Sequence, residues 1–177
     1  MLQLAEAVAY MHGLSPPVIH RDLKPQNLLL TNNYRTLKIC DFGTLRELAS
    51  TMTNGIGTAS YIAPEVIKGK KYTERCDVYG FAIILWQVFS QKDPYSHFEN
   101  PIGAVIQYRV CNFDERPDLD QVKEFPNRET IIFLIKACWD KDPTRRPTMQ
   151  LLKRILSMDP DSSLPKITKN NYTIVES

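Results

Sequence analysis

Asp22 and Asn27 stand five residues apart in one loop, and Asp41 follows a short apolar stretch further along. At that spacing a carboxylate and a side-chain amide come close together without both being anionic. Asp22 can orient a hydroxyl and accept its proton, a role typically worth about 100 to 10,000-fold in rate. Asn27 offers a neutral hard oxygen to Mg²⁺ and an N–H back to its own loop. Asp41 supplies the anionic oxygen that Mg²⁺ prefers, and the metal in turn offsets charge on neighbouring phosphates. Each signal alone is weak. A lone Asp in a loop is commonly a cap or a surface charge, and an Asp-Phe-Gly tripeptide arises by chance.

The ordered set is more specific. His20-Arg21-Asp22, Lys24 and Asn27 are followed by Asp41-Phe42-Gly43, then by Ala63-Pro64-Glu65, with Asp77 opening a long apolar segment.

Local sequence predicts the elements that must hold these groups. Leu2, Ala5, Val8, Ala9 and Met11 recur at helical spacing until Gly13 and Pro16-Pro17 stop the pattern. Leu28-Leu29-Leu30 and Leu37-Lys38-Ile39-Cys40 read as two short strands around Asn32-Asn33, which leaves the chemical motifs in the adjoining loops. Residues 77–89 are apolar on nearly all sides, the pattern of a helix wrapped by other elements. Further helices are predicted over 101–110, with Asn100 as cap, over 127–139 and over 148–157. The body is therefore mostly α within an α+β class. Residues 159–177 are polar and aperiodic, with two prolines, and read as a tail.

Composition narrows the class without naming a partner. A length of 177 residues suits one domain, and a net charge of +2 with both signs interspersed argues against nucleic acid. Cys40, Cys76, Cys111 and Cys138 are far apart and lack zinc-ligand spacing, as free thiols in a reducing compartment would. No signal peptide or membrane span is evident, because the longest apolar run is far shorter than the roughly 18 residues a span needs. A cytoplasmic protein is expected.

On the motif set quoted above, residues 1–158 resemble the C-terminal lobe of a eukaryotic protein kinase, so a protein-kinase-like fold is implied. Lys24 within Asp-Leu-Lys-Pro-x-Asn resembles the serine/threonine type. The stretch from Leu37 to Thr44, together with Met52-Thr53-Asn54, Lys71 to Val78 and Cys138 to Pro143, is similar to the transforming-growth-factor-β-activated kinase group. These are mitogen-activated protein kinase kinase kinases of the tyrosine-kinase-like branch. The resemblance implies ATP and Mg²⁺ as cofactors and a protein substrate, a downstream mitogen-activated protein kinase kinase, with an activating adaptor protein as a further partner.

Carried over by position, Asp22 is the catalytic base, Lys24 steadies the γ-phosphate, Asn27 and Asp41 bind Mg²⁺, and Leu29 floors the adenine site. His20 and Phe42 would be packing residues of a regulatory spine. Asp77 would bond the catalytic-loop backbone from inside the apolar helix. Glu65 and Arg146 resemble a pair tying the end of the activation segment to the lobe, worth roughly 3 to 5 kcal/mol if broken while buried and under about 1 kcal/mol on the surface. Cys40, beside Asp41, is either an inert buried thiol or one facing the nucleotide.

The activation segment holds Thr44, Ser50, Thr51, Thr53, Thr58 and Ser60. A phosphate there adds about −1.5 to −2 charge, and Arg21 is its natural receiver, so switching at Thr53 with Ser50 and Thr51 as neighbours is expected. Thr58, by resemblance, positions substrate first.

The 177 residues contain no Gly-x-Gly-x-x-Gly loop and no Val-Ala-x-Lys strand ahead of Asp22. The expectation is a helical C-terminal lobe with the N-terminal lobe absent and, since positioning dominates phosphoryl transfer, no activity from these residues alone. Two readings follow: a fragment or partial gene model of an active kinase, or a truncated isoform acting as a non-catalytic binding or competitor module.

Overall fold

The computed structural model describes residues 1–41, 59–98 and 102–158, and the backbone of two short strands at 166–167 and 174–175. Its centre is a helix apolar on all sides. In α3 (Arg75–Ser90) every residue from Cys76 to Trp86 is buried, together with Ser90, so the helix is enclosed by its neighbours rather than laid on a surface. Gln91 ends it in the left-handed region, φ 56°, with its N–H on the Gln87 carbonyl.

The other helices present apolar stripes to this axis and to each other. α1 (Leu2–His12) buries Leu4, Ala5, Val8, Ala9 and Met11 and packs against α6 (Met149–Ser157), which buries Met149, Leu152 and Ile155. Gln150 bolts the pair together by donating to the Ala9 carbonyl at 2.9 Å. α6 begins where Thr148 accepts the Leu151 N–H at 3.1 Å, which satisfies one orphan donor of the first turn. α5 (Arg128–Cys138) packs on α3 and buries Ile132, Leu134, Ile135 and Cys138. Short α2 (Pro64–Ile67) starts on a proline, where no N–H is needed, and leans on α4 (Gly103–Phe113).

The hairpin is small. β1 (Leu28–Thr31) and β2 (Thr36–Ile39) pair antiparallel with Leu28 opposite Ile39 and Thr31 opposite Thr36. Asn32, Asn33 and Tyr34 turn the chain with φ of 53°, 53° and 64°, a conformation asparagine tolerates better than most residues. Gln3 of α1 fixes the hairpin by donating to Arg35 O and accepting from Leu37 N, both at 2.7 Å.

The predicted elements occur with shifted ends. The helix expected from Pro101 begins at Gly103 with Ile102 as its cap, while Asn100 and Pro101 lie outside the described residues. Within the stretch read as a tail, β3 (Lys166–Ile167) and β4 (Ile174–Val175) pair antiparallel, at Ile-Thr and Thr-Ile-Val sequences of high β propensity. Among the described residues no helix is long and apolar enough to cross a membrane.

Candidate active site

The site is built from two loops bound to each other and to α3. A single 3-10 turn, Pro25–Asn27, bends the chain so that Asn27 faces back toward Asp22. The Asn27 side chain donates to the Asp22 carbonyl at 2.8 Å and to its carboxylate at 3.2 Å, and Lys24 Nζ donates to the same carboxylate oxygen at 2.6 Å. Asp22 and Asn27 are buried, with one face of the carboxylate thus fixed by neighbours from its own loop. Since the Asn27 nitrogen is engaged by Asp22, its oxygen is the end suited to a cation.

Asp41 is brought to Asn27 by the hairpin. The β1 and β2 pairing continues one step past Leu28 and Ile39: Cys40 N donates to Asn27 O at 2.9 Å. His20 closes the other side. Its Nδ1 accepts the Asp22 N–H at 3.3 Å, which leaves Nε2 as the protonated nitrogen donating to Cys40 O at 3.1 Å. Both ring nitrogens of His20 are therefore committed to backbone. Asp41 itself is exposed, with φ 63°, directly after this double stitch. Among the described residues no group of three or more His, Cys, Asp and Glu gathers to hold a metal. One amide oxygen and one carboxylate would suit an ion that takes its remaining oxygens from water and phosphate, as Mg²⁺ does.

α3 anchors the first loop through Asp77, 1% exposed. Its carboxylate accepts from His20 N at 2.9 Å, Arg21 N at 2.7 Å and His12 Nε2 at 2.8 Å. A buried carboxylate needs such compensation, and three donors supply it. Arg21 is held with φ 71°, its guanidinium 5.3 Å from the centre of the Tyr72 ring. Its Nε is buried and has no hydrogen-bond partner among the described residues. Burial first, and then the Asp77 charge, pushes the adjacent Cys76 thiol far up, so it stays neutral.

Gly80 explains how closely the pieces approach. A Cβ built there would lie 3.2 Å from Leu23 Cβ, 3.3 Å from Leu23 O and 3.5 Å from Tyr61 O. Leu23, next to Asp22, and Tyr61, ahead of α2, therefore both rest on α3 at one residue. Burial, with the Asp93 charge behind it, raises the Tyr61 phenol, whose hydroxyl donates to Gln87 Oε1 at 2.6 Å.

Glu65 and Arg146 form a buried bidentate pair: Nη1 to Oε1 at 2.6 Å and Nη2 to Oε2 at 2.9 Å. Arg146 also donates to Asp140 O and Arg75 O, each at 2.9 Å, and lies 5.2 Å from the centre of the Tyr79 ring. Of the two environments open for this pair, the structure has the buried one.

Other expected residues fall differently. Leu29 is 50% exposed on β1, and Cys40 is half-buried rather than sequestered. Phe42, Ser50, Thr51, Thr53 and Thr58 lie outside the described residues. His12 was not marked by any sequence motif. Its signal was available, however, since it continues the buried Leu4 and Val8 stripe one turn on, where a polar side chain requires a partner.

The protein kinase domain family model matches residues 1–157. The chain is 46% identical over 155 residues to mitogen-activated protein kinase kinase kinase 7 of Drosophila melanogaster, covering 87% of this chain and 22% of that protein. The protein of the same name in Homo sapiens is 42% identical over 157 residues, covering 88% and 25%. A probable serine/threonine-protein kinase of Dictyostelium discoideum is 34% identical over 168 residues, covering 93% and 18%. The chain thus spans a quarter or less of each of these three relatives.

Proposed function

Because this chain belongs to the protein kinase domain family, we propose that it serves an ATP-dependent serine/threonine protein kinase, of the mitogen-activated protein kinase kinase kinase type and the tyrosine-kinase-like branch. Its proposed substrate is a downstream mitogen-activated protein kinase kinase, its compartment the cytoplasm, and an adaptor its activator. The observation that carries the reading is the buried Asp22 carboxylate, held by Lys24 and Asn27 in a loop stitched through Cys40 to Asp41. Residues 1–158 act as the C-terminal lobe and 159–177 as a tail.

When bound, Mg²⁺ and ATP supply the phosphoryl group and the positive charge that offsets it. Asn27 and Asp41 would hold the metal through the two oxygens described. Asp22 orients the acceptor hydroxyl and takes its proton as the oxygen–phosphorus bond forms, while ADP departs with the electrons of the β–γ bridging bond. Lys24, whose Nζ donates to the Asp22 carboxylate, would steady the transferred group. His20 and Asp77 act on the backbone, keeping the loop's geometry independent of the substrate. Leu29, 50% exposed on β1, supports an adenine site that a covering N-terminal lobe completes. Arg21, whose Nε has no hydrogen-bond partner among the described residues, supports a role as receiver for a phosphate on Thr53, with Ser50 and Thr51 as further acceptors and Thr58 as a substrate-positioning residue.

The test is transfer of labelled phosphate from ATP to an inert mitogen-activated protein kinase kinase by the full-length protein. Asp22→Asn should lower the rate about 100 to 10,000-fold with ATP affinity retained. Unchanged transfer, or labelling of tyrosine alone, would refute the assignment. The 177 residues by themselves should transfer none.

A further inference from the structure

His12 is the last residue of α1, one turn beyond Val8 on the face turned to the core, and its side chain is 2% exposed. Its Nε2 lies 2.8 Å from Asp77 Oδ2. An ionised carboxylate only accepts, so Nε2 carries the proton and donates it. Nδ1 is then buried with no hydrogen-bond partner among the described residues. Phenylalanine would continue the apolar stripe without that unsatisfied atom, which costs stability. What the imidazole adds is the Nε2 donor.

That donor reaches Asp77 from outside the catalytic loop. Asp77 Oδ1 accepts Arg21 N at 2.7 Å and Oδ2 accepts His20 N at 2.9 Å, and both amides belong to the loop that carries Asp22. The Cys76 thiol, 3.9 Å from Oδ1, is a weak donor from Asp77's own helix. The terminal torsion of an aspartate is broad, so with the loop amides alone the carboxylate would turn and the loop would turn with it. His12 ties Oδ2 to α1, which Gln150 fastens to α6 and Gln3 fastens to the β1–β2 hairpin. What needs holding is the Arg21 backbone at φ 71°, a conformation that a residue with a side chain leaves once its restraints go. Relaxation there would displace Asp22, the next residue, and with it the carboxylate that Lys24 and Asn27 grip.

We propose that His12 is a positioning residue for phosphoryl transfer: through Asp77 it fixes the backbone of His20 and Arg21, and thereby the direction of the Asp22 carboxylate. The proposal rests on the kinase reading and adds to it a residue of α1 that is buried away from acceptor and nucleotide alike. Its effect falls on kcat, because a turned Asp22 misaligns the acceptor hydroxyl while the surfaces that bind acceptor and ATP remain.

The experiment measures kcat and KM of the full-length protein on an inert mitogen-activated protein kinase kinase, per mole of folded protein, with melting temperature followed in parallel. His12→Phe removes the donor and keeps the packing, His12→Asn keeps an amide too short to reach Asp77, and His12→Gln puts an amide N–H about where Nε2 lies. The Phe and Asn variants should lose about tenfold or more in kcat, with KM for ATP and for the acceptor held within about twofold. The Gln variant should recover most of the rate. If His12→Phe fails to fold, the Asn and Gln pair decides, since the two differ by one methylene and by reach to Asp77. Equal loss in all three variants, in step with their melting temperatures, would show a structural role and overturn the proposal. So would an unchanged kcat in the Phe and Asn variants, or a loss confined to KM. If the unsubstituted protein transfers no phosphate, the kinase reading itself falls; transfer that is indifferent to the His12 donor removes this inference alone.

Discussion

Replacing Arg146 with Met should cost about 3 to 5 kcal/mol of folding free energy, the range for breaking one side of a buried ion pair. The geometry selects that range. The Arg146 side chain is 0% exposed and that of Glu65 is 7% exposed, so water replaces neither partner when the other is lost. Met keeps most of the aliphatic volume, which limits any cavity contribution and isolates the polar loss. Three acceptors lose a donor at once: the Glu65 carboxylate and the carbonyls of Asp140 and Arg75. Against a total stability of about 5 to 15 kcal/mol, this is a large share. Urea titration of the chain measures it, and a cycle with Glu65→Leu isolates the pair, because removing both charges leaves no buried ion behind. The double variant should be markedly more stable than the two single losses predict by addition. A cost for Arg146→Met below about 1 kcal/mol, or additivity within about 0.5 kcal/mol, would place the pair among surface ion pairs and refute the reasoning.

Gly80→Ala should lower the urea midpoint even though Ala is the better helix former by about 1 kcal/mol, because the new methyl meets Leu23 at 3.2 and 3.3 Å. A raised midpoint would show that Leu23 gives way freely. Burial raises the thiols of Cys76 and Cys138 and the phenols of Tyr79 and Tyr95. An acid whose pKa is raised by folding contributes stability that is present below its unfolded value and lost above it, so melting temperature should fall from about pH 9 upward. A flat profile between pH 8 and pH 11 would contradict that burial.

The core was legible because its signals are local and redundant. The all-apolar stretch from Val78 to Trp86 can be satisfied only by enclosure, and the Leu4, Val8 stripe only by a partner helix. Asp22 and Asn27 were legible as neighbours because a five-residue loop cannot separate them far. What sequence left open depends on contacts between distant segments. Glu65 and Arg146 are 81 residues apart, and whether they meet in water or in the core is decided by how α2, α3 and the residues after α5 pack together. His12 pairs with Asp77 across 65 residues, a partnership that no local pattern encodes.

Arg21 and Asp41 both stand in the left-handed region, at φ 71° and 63°, where a side chain costs roughly 1 to 2 kcal/mol that glycine would avoid. The two residues are held there by Asp77 and by the hydrogen bonds either side of Cys40. A campaign selecting only for heat resistance would be drawn to glycine at both positions. It would then gain degrees of melting temperature by erasing the guanidinium proposed to receive a phosphate and the carboxylate proposed to hold the metal. If the proposed roles hold, the strain marks where thermostability and activity make opposite demands on the same backbone.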